Sequence, residues 1–119
     1  LNSISLKEKF DVITRHWDPK IIGELNGQYV KIAKLKGEFV WHHHDEEDEL
    51  FMVIRGRLLI RTASGDVKLE EGEMCIIPRG IEHMPVAEQE VEVLMFEPKG
   101  TLNTGSVENE KTIHHVEKI

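Results

Sequence analysis

Cysteine occurs once, at Cys75, so no intramolecular disulfide framework is available and stability must come from a packed core. A lone thiol suits a reducing compartment, and a cytoplasmic location is the expectation. Long apolar runs are missing too: none approaches the roughly 20 residues a membrane-spanning helix needs. The opening Leu-Asn-Ser-Ile-Ser lacks the basic-then-apolar pattern of a secretion signal. Basic residues are the minority, 15 against 22 acidic ones, and the formal charge of −7 argues against a nucleic-acid partner. Tracts of low complexity and repeats of fixed period are absent. At 119 residues, with 39% hydrophobic and 31% charged side chains, the expectation is a single globular domain over 1–119.

Helical periodicity is confined to the start of the chain. Ser5-Leu6-Lys7-Glu8 has the form of a capping box, and Leu6, Phe10 and Ile13 recur at helical spacing, which predicts a short helical segment within 5–13. Asp18-Pro19 ends it. From there to Pro98 the chain is a series of short apolar runs broken by Gly, Pro, Asn and Asp. Asn26-Gly27 between two such runs is the strongest hairpin signal. The further runs are Phe39 to His44, Leu50 to Ile54, Leu58 to Thr62, Val67 to Leu69, Met74 to Ile77, His83 to Val86 and Val91 to Glu97. Short strands at this spacing predict an all-β sandwich or barrel over 20–98. Residues 99–119 read as a loop-rich tail that drapes over the barrel or frays.

The chemistry concentrates in 37–56. His42 and His44 are two residues apart, so on an extended strand both imidazoles share a face with Val40, while Trp41 and His43 point away. The acidic stretch Asp45 to Asp48 reads as a solvated turn. Beyond it, alternation groups Glu49 with Phe51 and Val53. Strand pairing across that turn would bring Glu49 to the interior faced by His42 and His44. Two imidazoles and a carboxylate converging on one point suit a first-row transition metal. Val40, Phe51 and Val53, on the same parity, are the expected lining of an apolar cavity beside it.

The spacing resembles the two motifs of the cupin superfamily. His42-x-His44, four residues, Glu49, six residues and Gly56 match the first motif. Gly72, five residues, Pro78-Arg79-Gly80, two residues and His83 match the second. The sequence departs from the pattern in two places: four residues rather than five separate Gly37 from His42, and Ala87 stands where Asn is frequent. Neither is a ligand position. The resemblance covers 37–87 and implies a double-stranded β-helix, the jelly-roll cupin barrel. It also implies that His83 is the fourth metal ligand beside His42, His44 and Glu49.

A site of three imidazoles and one carboxylate leaves coordination positions open and accepts Fe, Mn, Ni, Co, Cu or Zn. The resemblance includes dioxygenases, isomerases and decarboxylases. No second acid or lysine stands out on the inward parity beside Glu49, which favours dioxygenase-type oxidation of a small molecule over isomerisation. The other reading is a noncatalytic module that binds a small ligand or stores a metal, since the fold alone does not decide function. Cys75 reads as a small core hydrophobe, and Phe39 and Met95 as packing. Leu50, Met52 and Ile54, on the outward parity, need cover from the N-terminal segment or a second copy, and a homodimer is expected.

Overall fold

A computed structural model describes all of residues 1–119. Its elements are α1 (Leu6–Asp11), β1 (Lys20–Leu25), β2 (Gln28–Glu38), β3 (Glu49–Arg55), β4 (Leu58–Thr62), β5 (Gly65–Leu69), β6 (Met74–Ile77), β7 (His83–Pro98) and β8 (Glu117–Lys118). The Ser5 side chain caps α1 by accepting from the Glu8 amide at 3.2 Å. Asn26 and Gly27, at φ 51° and 76°, make the tight turn joining β1 to β2, with Leu25 opposite Gln28. Positive φ at both central positions gives the turn the twist that the two strands need.

The long β7 organises the sheets. It pairs antiparallel with β2 along almost its whole length, with β4 through residues 83–86, and with β3 through residues 92–96. The main strand path is β5-β4-β7-β2-β1-β8, with β6 attached to β3, so the sheet wraps around the core without closing. This is the all-β jelly-roll architecture expected from the sequence. The two runs read as separate strands at 83–86 and 91–97 are one strand.

Alternation decides which side chains fill the interior. Ala33 and Leu35 of β2, Phe51 and Val53 of β3, Leu58 and Ile60 of β4, and Val91, Val93 and Met95 of β7 belong to one buried cluster. Their neighbours on the opposite parity face out. There, Phe10 and Ile13 pack on Ile32, and Ile54 and Leu94 join them, so α1 covers part of the outer face. Burying a side chain such as Phe10, only 1% exposed, contributes about 2 kcal/mol. Leu50 and Met52 stay half-buried, and beside them on β6 Met74 and Ile76 are exposed.

The tail drapes rather than frays. Thr101 and Thr104 are buried, and β8 pairs parallel with β1 through Lys20–Glu117 and Ile21–Lys118.

Candidate metal centre

The segment that carries the first two histidines departs from expectation. Residues 39–44 form no regular strand, and they do not pair with β3 across the acidic turn. They run beside the start of β7 instead. Phe39 donates its amide to the Pro85 carbonyl at 3.0 Å, and His42 and His83 exchange both backbone bonds at 3.0 and 2.9 Å. The two motifs are thereby locked in register. Glu49 arrives from a third direction, as the first residue of β3, opposite Ile77.

The four predicted residues converge. His42, His44, Glu49 and His83 are all buried, and one ligand atom from each lies within 4.8 Å of the others. Glu49 Oε1 is 3.5 Å from His44 Nε2 and 3.6 Å from His83 Nε2. His42 Nδ1 donates to the Val40 carbonyl and His83 Nδ1 to the Ile81 carbonyl, each at 2.8 Å. Those bonds fix the tautomer and leave each Nε2 with a lone pair aimed inward. His44 Nε2, His83 Nε2 and Glu49 Oε1 are buried without hydrogen-bond partners. Orphaned buried acceptors are costly, and a single cation at their centre would satisfy all of them at once. Neutral nitrogens plus one carboxylate oxygen are a donor set for a divalent transition metal, so the residues fit the group.

The acidic turn holds the site in place. Asp48 accepts from the Arg79 amide at 2.9 Å and from its guanidinium at 3.3 Å, tying 45–48 to the Pro78-Arg79-Gly80 turn. Gly80 donates to the His44 carbonyl at 2.8 Å. His43 points outward as expected, with Nε2 2.9 Å from Asp45 Oδ1.

A cavity of about 40 Å³ opens beside His42 and Glu49. Of the predicted lining residues, only Phe51 borders it. Val40 does not, because the chain leaves strand geometry after Glu38 and Val40 turns its carbonyl to His42. Phe39 takes that place, stacked on Trp17 with ring centroids 4.7 Å apart. Val53 is fully buried two residues beyond Phe51, opposite Val93, in the core behind the cavity wall. Leu35 and Met95 supply further apolar wall, so Phe39 and Met95 are cavity residues as well as packing ones.

The sequence reading missed two buried charges beside the ligands. Glu97 borders the cavity with Glu49, and Lys31 donates to Glu97 Oε1 at 2.7 Å. Each is only 2% exposed. A signal existed, since Glu97 continues the inward parity of Val91, Val93 and Met95, and Lys31 that of Ala33 and Leu35. Burial, and then the charge of Glu49, hold the Glu97 carboxyl well above its ordinary value. For Glu49 burial pushes upward, but the polar side chains of Glu97, His44 and His83 close around it outweigh that and hold the carboxyl well below its ordinary value. Burial, then the Glu49 charge, raise the Cys75 thiol, which packs against the core.

Comparison with known proteins agrees with this architecture. A cupin-2 domain protein of known structure from Shewanella frigidimarina is 41% identical, with a TM-score of 0.79 over 81% of this chain and 94% of that one. The uncharacterized protein YdbB of Bacillus subtilis is 40% identical over 63 residues, which span 52% of this chain and 56% of that one. A hydroquinone 1,2-dioxygenase crystallised with Cd2+ and 4-hydroxybenzonitrile has a TM-score of 0.66 over 77% of this chain and 70% of that one, at 17% identity, a likeness of fold alone. The family model for the cupin domain matches residues 28–97, more than half of the sequence, and the chain belongs to the cupin family.

Proposed function

We propose that this cupin is a metal-dependent enzyme acting on a small, largely apolar molecule, with dioxygenase-type oxidation as its reaction. The observation that carries the reading is the cavity beside His42 and Glu49, walled by Trp17, Phe39, Leu35, Phe51 and Met95. A divalent transition metal (Fe, Mn, Ni, Co, Cu or Zn) held by His42, His44, Glu49 and His83 would supply open coordination positions and either redox or Lewis-acid chemistry. The chain's own residues do the rest. The apolar wall excludes water from the space next to the ligands and orients a flat apolar body against Phe39. About 40 Å³ is room for only a few water-sized groups, since one water needs roughly 10–15 Å³. No lysine or arginine lines this space, and Lys31, next to the lining residue Glu97, is already paired with it. A phosphorylated sugar would find no free cation on this wall.

Glu97 supports a second reading. Lack of a second acid favoured oxidation over isomerisation, and Glu97 supplies one at the cavity wall. A carboxyl whose hold on its proton is strengthened by burial is suited to proton transfer to or from a bound substrate. Oxygen uptake separates the two readings. Iron-loaded protein is offered catechols, thiols and diketones; uptake that His42→Ala abolishes supports the dioxygenase. Conversion without oxygen uptake, lost in Glu97→Gln, supports the isomerase. Tight binding without turnover under any metal would return the chain to a noncatalytic binding module.

We also propose a homodimer. Leu50 and Met52 with their exposed β6 neighbours Met74 and Ile76 form an apolar face on an edge strand, the kind of surface a second copy covers.

A further inference from the structure

The backbone between the first two candidate ligands is gripped from the far end of the chain. Ser106, 63 residues downstream of His43, donates its amide to the His43 carbonyl at 2.9 Å and accepts from the His43 amide through Oγ at 3.2 Å. Its hydroxyl also lies 3.1 Å from His43 Nδ1. The residue before it, Gly105, has φ 53° and no room for a side chain. A Cβ there would overlap the His43 carbonyl oxygen and come within 3.1 Å of His44 Nδ1. That nitrogen is buried and without a hydrogen-bond partner, with Glu47 Oε1 4.0 Å away, so no carbonyl orients the His44 ring as carbonyls orient His42 and His83.

The strap is itself anchored. Thr104, fully buried, shares a 2.7 Å bond with Thr112. Asn103 donates to the Lys111 carbonyl and accepts from the Ile113 amide, both at 2.9 Å. Lys111 Nζ reaches the Glu38 carbonyl at 3.1 Å, just before the ligand segment begins. Asn103 also borders the cavity.

We propose that residues 103–106, outside both motifs, are positioning residues of the metal centre: Ser106 fixes the His43 backbone and Gly105 sets the place of the His44 ring. The inference rests on the metal-site reading above. A strap that served only to stabilise the fold would have no need to approach His43 and His44 so closely that a methyl group does not fit.

The test uses the full chain and Co2+ as the probe, with Gly105→Ala, Ser106→Ala and, as a control, Thr112→Val, which loosens the strap's anchor away from the histidines. Affinity is read by calorimetry, site geometry by the visible Co2+ absorption, and backbone protection by hydrogen exchange on metal-free protein. Gly105→Ala is expected to weaken Co2+ by about tenfold or more and to change the spectrum, the usual effect of losing a residue that orients a ligand. Ser106→Ala is expected to move both in the same direction by less and to speed exchange at His43. Thr112→Val is expected to lower the melting temperature with a smaller loss of affinity than Gly105→Ala. Wild-type affinity and spectrum in Gly105→Ala, or in Ser106→Ala should Gly105→Ala not fold, would overturn the proposal. If the wild-type protein takes up no Co2+, the metal reading fails by itself, and unchanged exchange at His43 in Ser106→Ala separately rejects the strap's hold.

Discussion

Lys31 Nζ lies 2.7 Å from Glu97 Oε1 with both side chains 3% exposed, directly behind the carboxylate of Glu49. Ion pairs this deep are uncommon, because the loss of hydration is repaid only when each charge keeps its partner. Glu97→Leu should therefore destabilise the protein by about 3–5 kcal/mol, most of it from leaving Lys31 buried and alone. Lys31→Met combined with Glu97→Leu removes both charges and should be clearly more stable than Glu97→Leu alone. Urea unfolding of the wild type, Glu97→Leu, Lys31→Met and the double variant measures the difference. A double variant as unstable as the sum of the single ones would mean that the pair is not coupled.

Metal binding should stabilise the fold in proportion to occupancy. At a free metal concentration one hundred times Kd the gain is about 2.7 kcal/mol, roughly 10 °C in Tm for a domain of this size. His42→Ala, His44→Ala, Glu49→Ala and His83→Ala should each lose most of that gain. His114→Ala should keep it, since His114 is an exposed tail residue paired with Glu108. Differential scanning fluorimetry with and without metal reads this directly. Equal shifts in all five variants would place binding elsewhere on the surface.

Acid should weaken the metal-free protein through His42. Burial, and then repulsion from His83, hold its imidazole down at about 4 from the ordinary 6.5. The unfolded chain takes up this proton near 6.5 while the folded chain refuses it until about 4. The contribution is thus complete above 6.5 and disappears as the pH falls through that window, about 3 kcal/mol in all. Glu97, raised in the fold, has the opposite sign, losing stability as the pH climbs above its unfolded value. The difference between wild type and His42→Gln isolates the histidine: urea midpoints at pH 7.5 and pH 4.5 should converge at the lower pH. A gap that stays constant would show that His42 takes up its proton at the same pH in the folded and unfolded chains.

The parts legible in the sequence were those that alternation and spacing encode. Strand parity put Phe51 on the cavity and His43 outside, and the motif spacing brought His83 to Glu49. Val40 was misassigned because parity holds only while the chain stays in a strand, and the chain leaves strand geometry at Phe39. Lys31 and Glu97 lie on the inward parity, yet a single charge in a strand reads as a surface residue until its partner is found. That partner is 66 residues away, and only the pairing of β2 with β7 brings the two together. The tail hid its role for the same reason, since Gly105 and Ser106 acquire meaning only from the backbone of His43.

The apolar face on β3 and β6 gives the last test. Ile76 is 58% and Met74 47% exposed on a strand that pairs on one side only, with β3. An edge of this kind invites another chain unless it is covered or charged. Part of the outer face is already covered, since Ile54 packs with Phe10 and Ile13, so α1 does some of what a second copy was expected to do. Leu50, Met52, Met74 and Ile76 remain for the partner. Light scattering at micromolar concentration should give the mass of a dimer. Ile76→Lys should shift it to the monomer while leaving metal binding intact, because Ile76 faces away from the ligands. A monomeric wild type under those conditions would leave α1 as the only cover this face has.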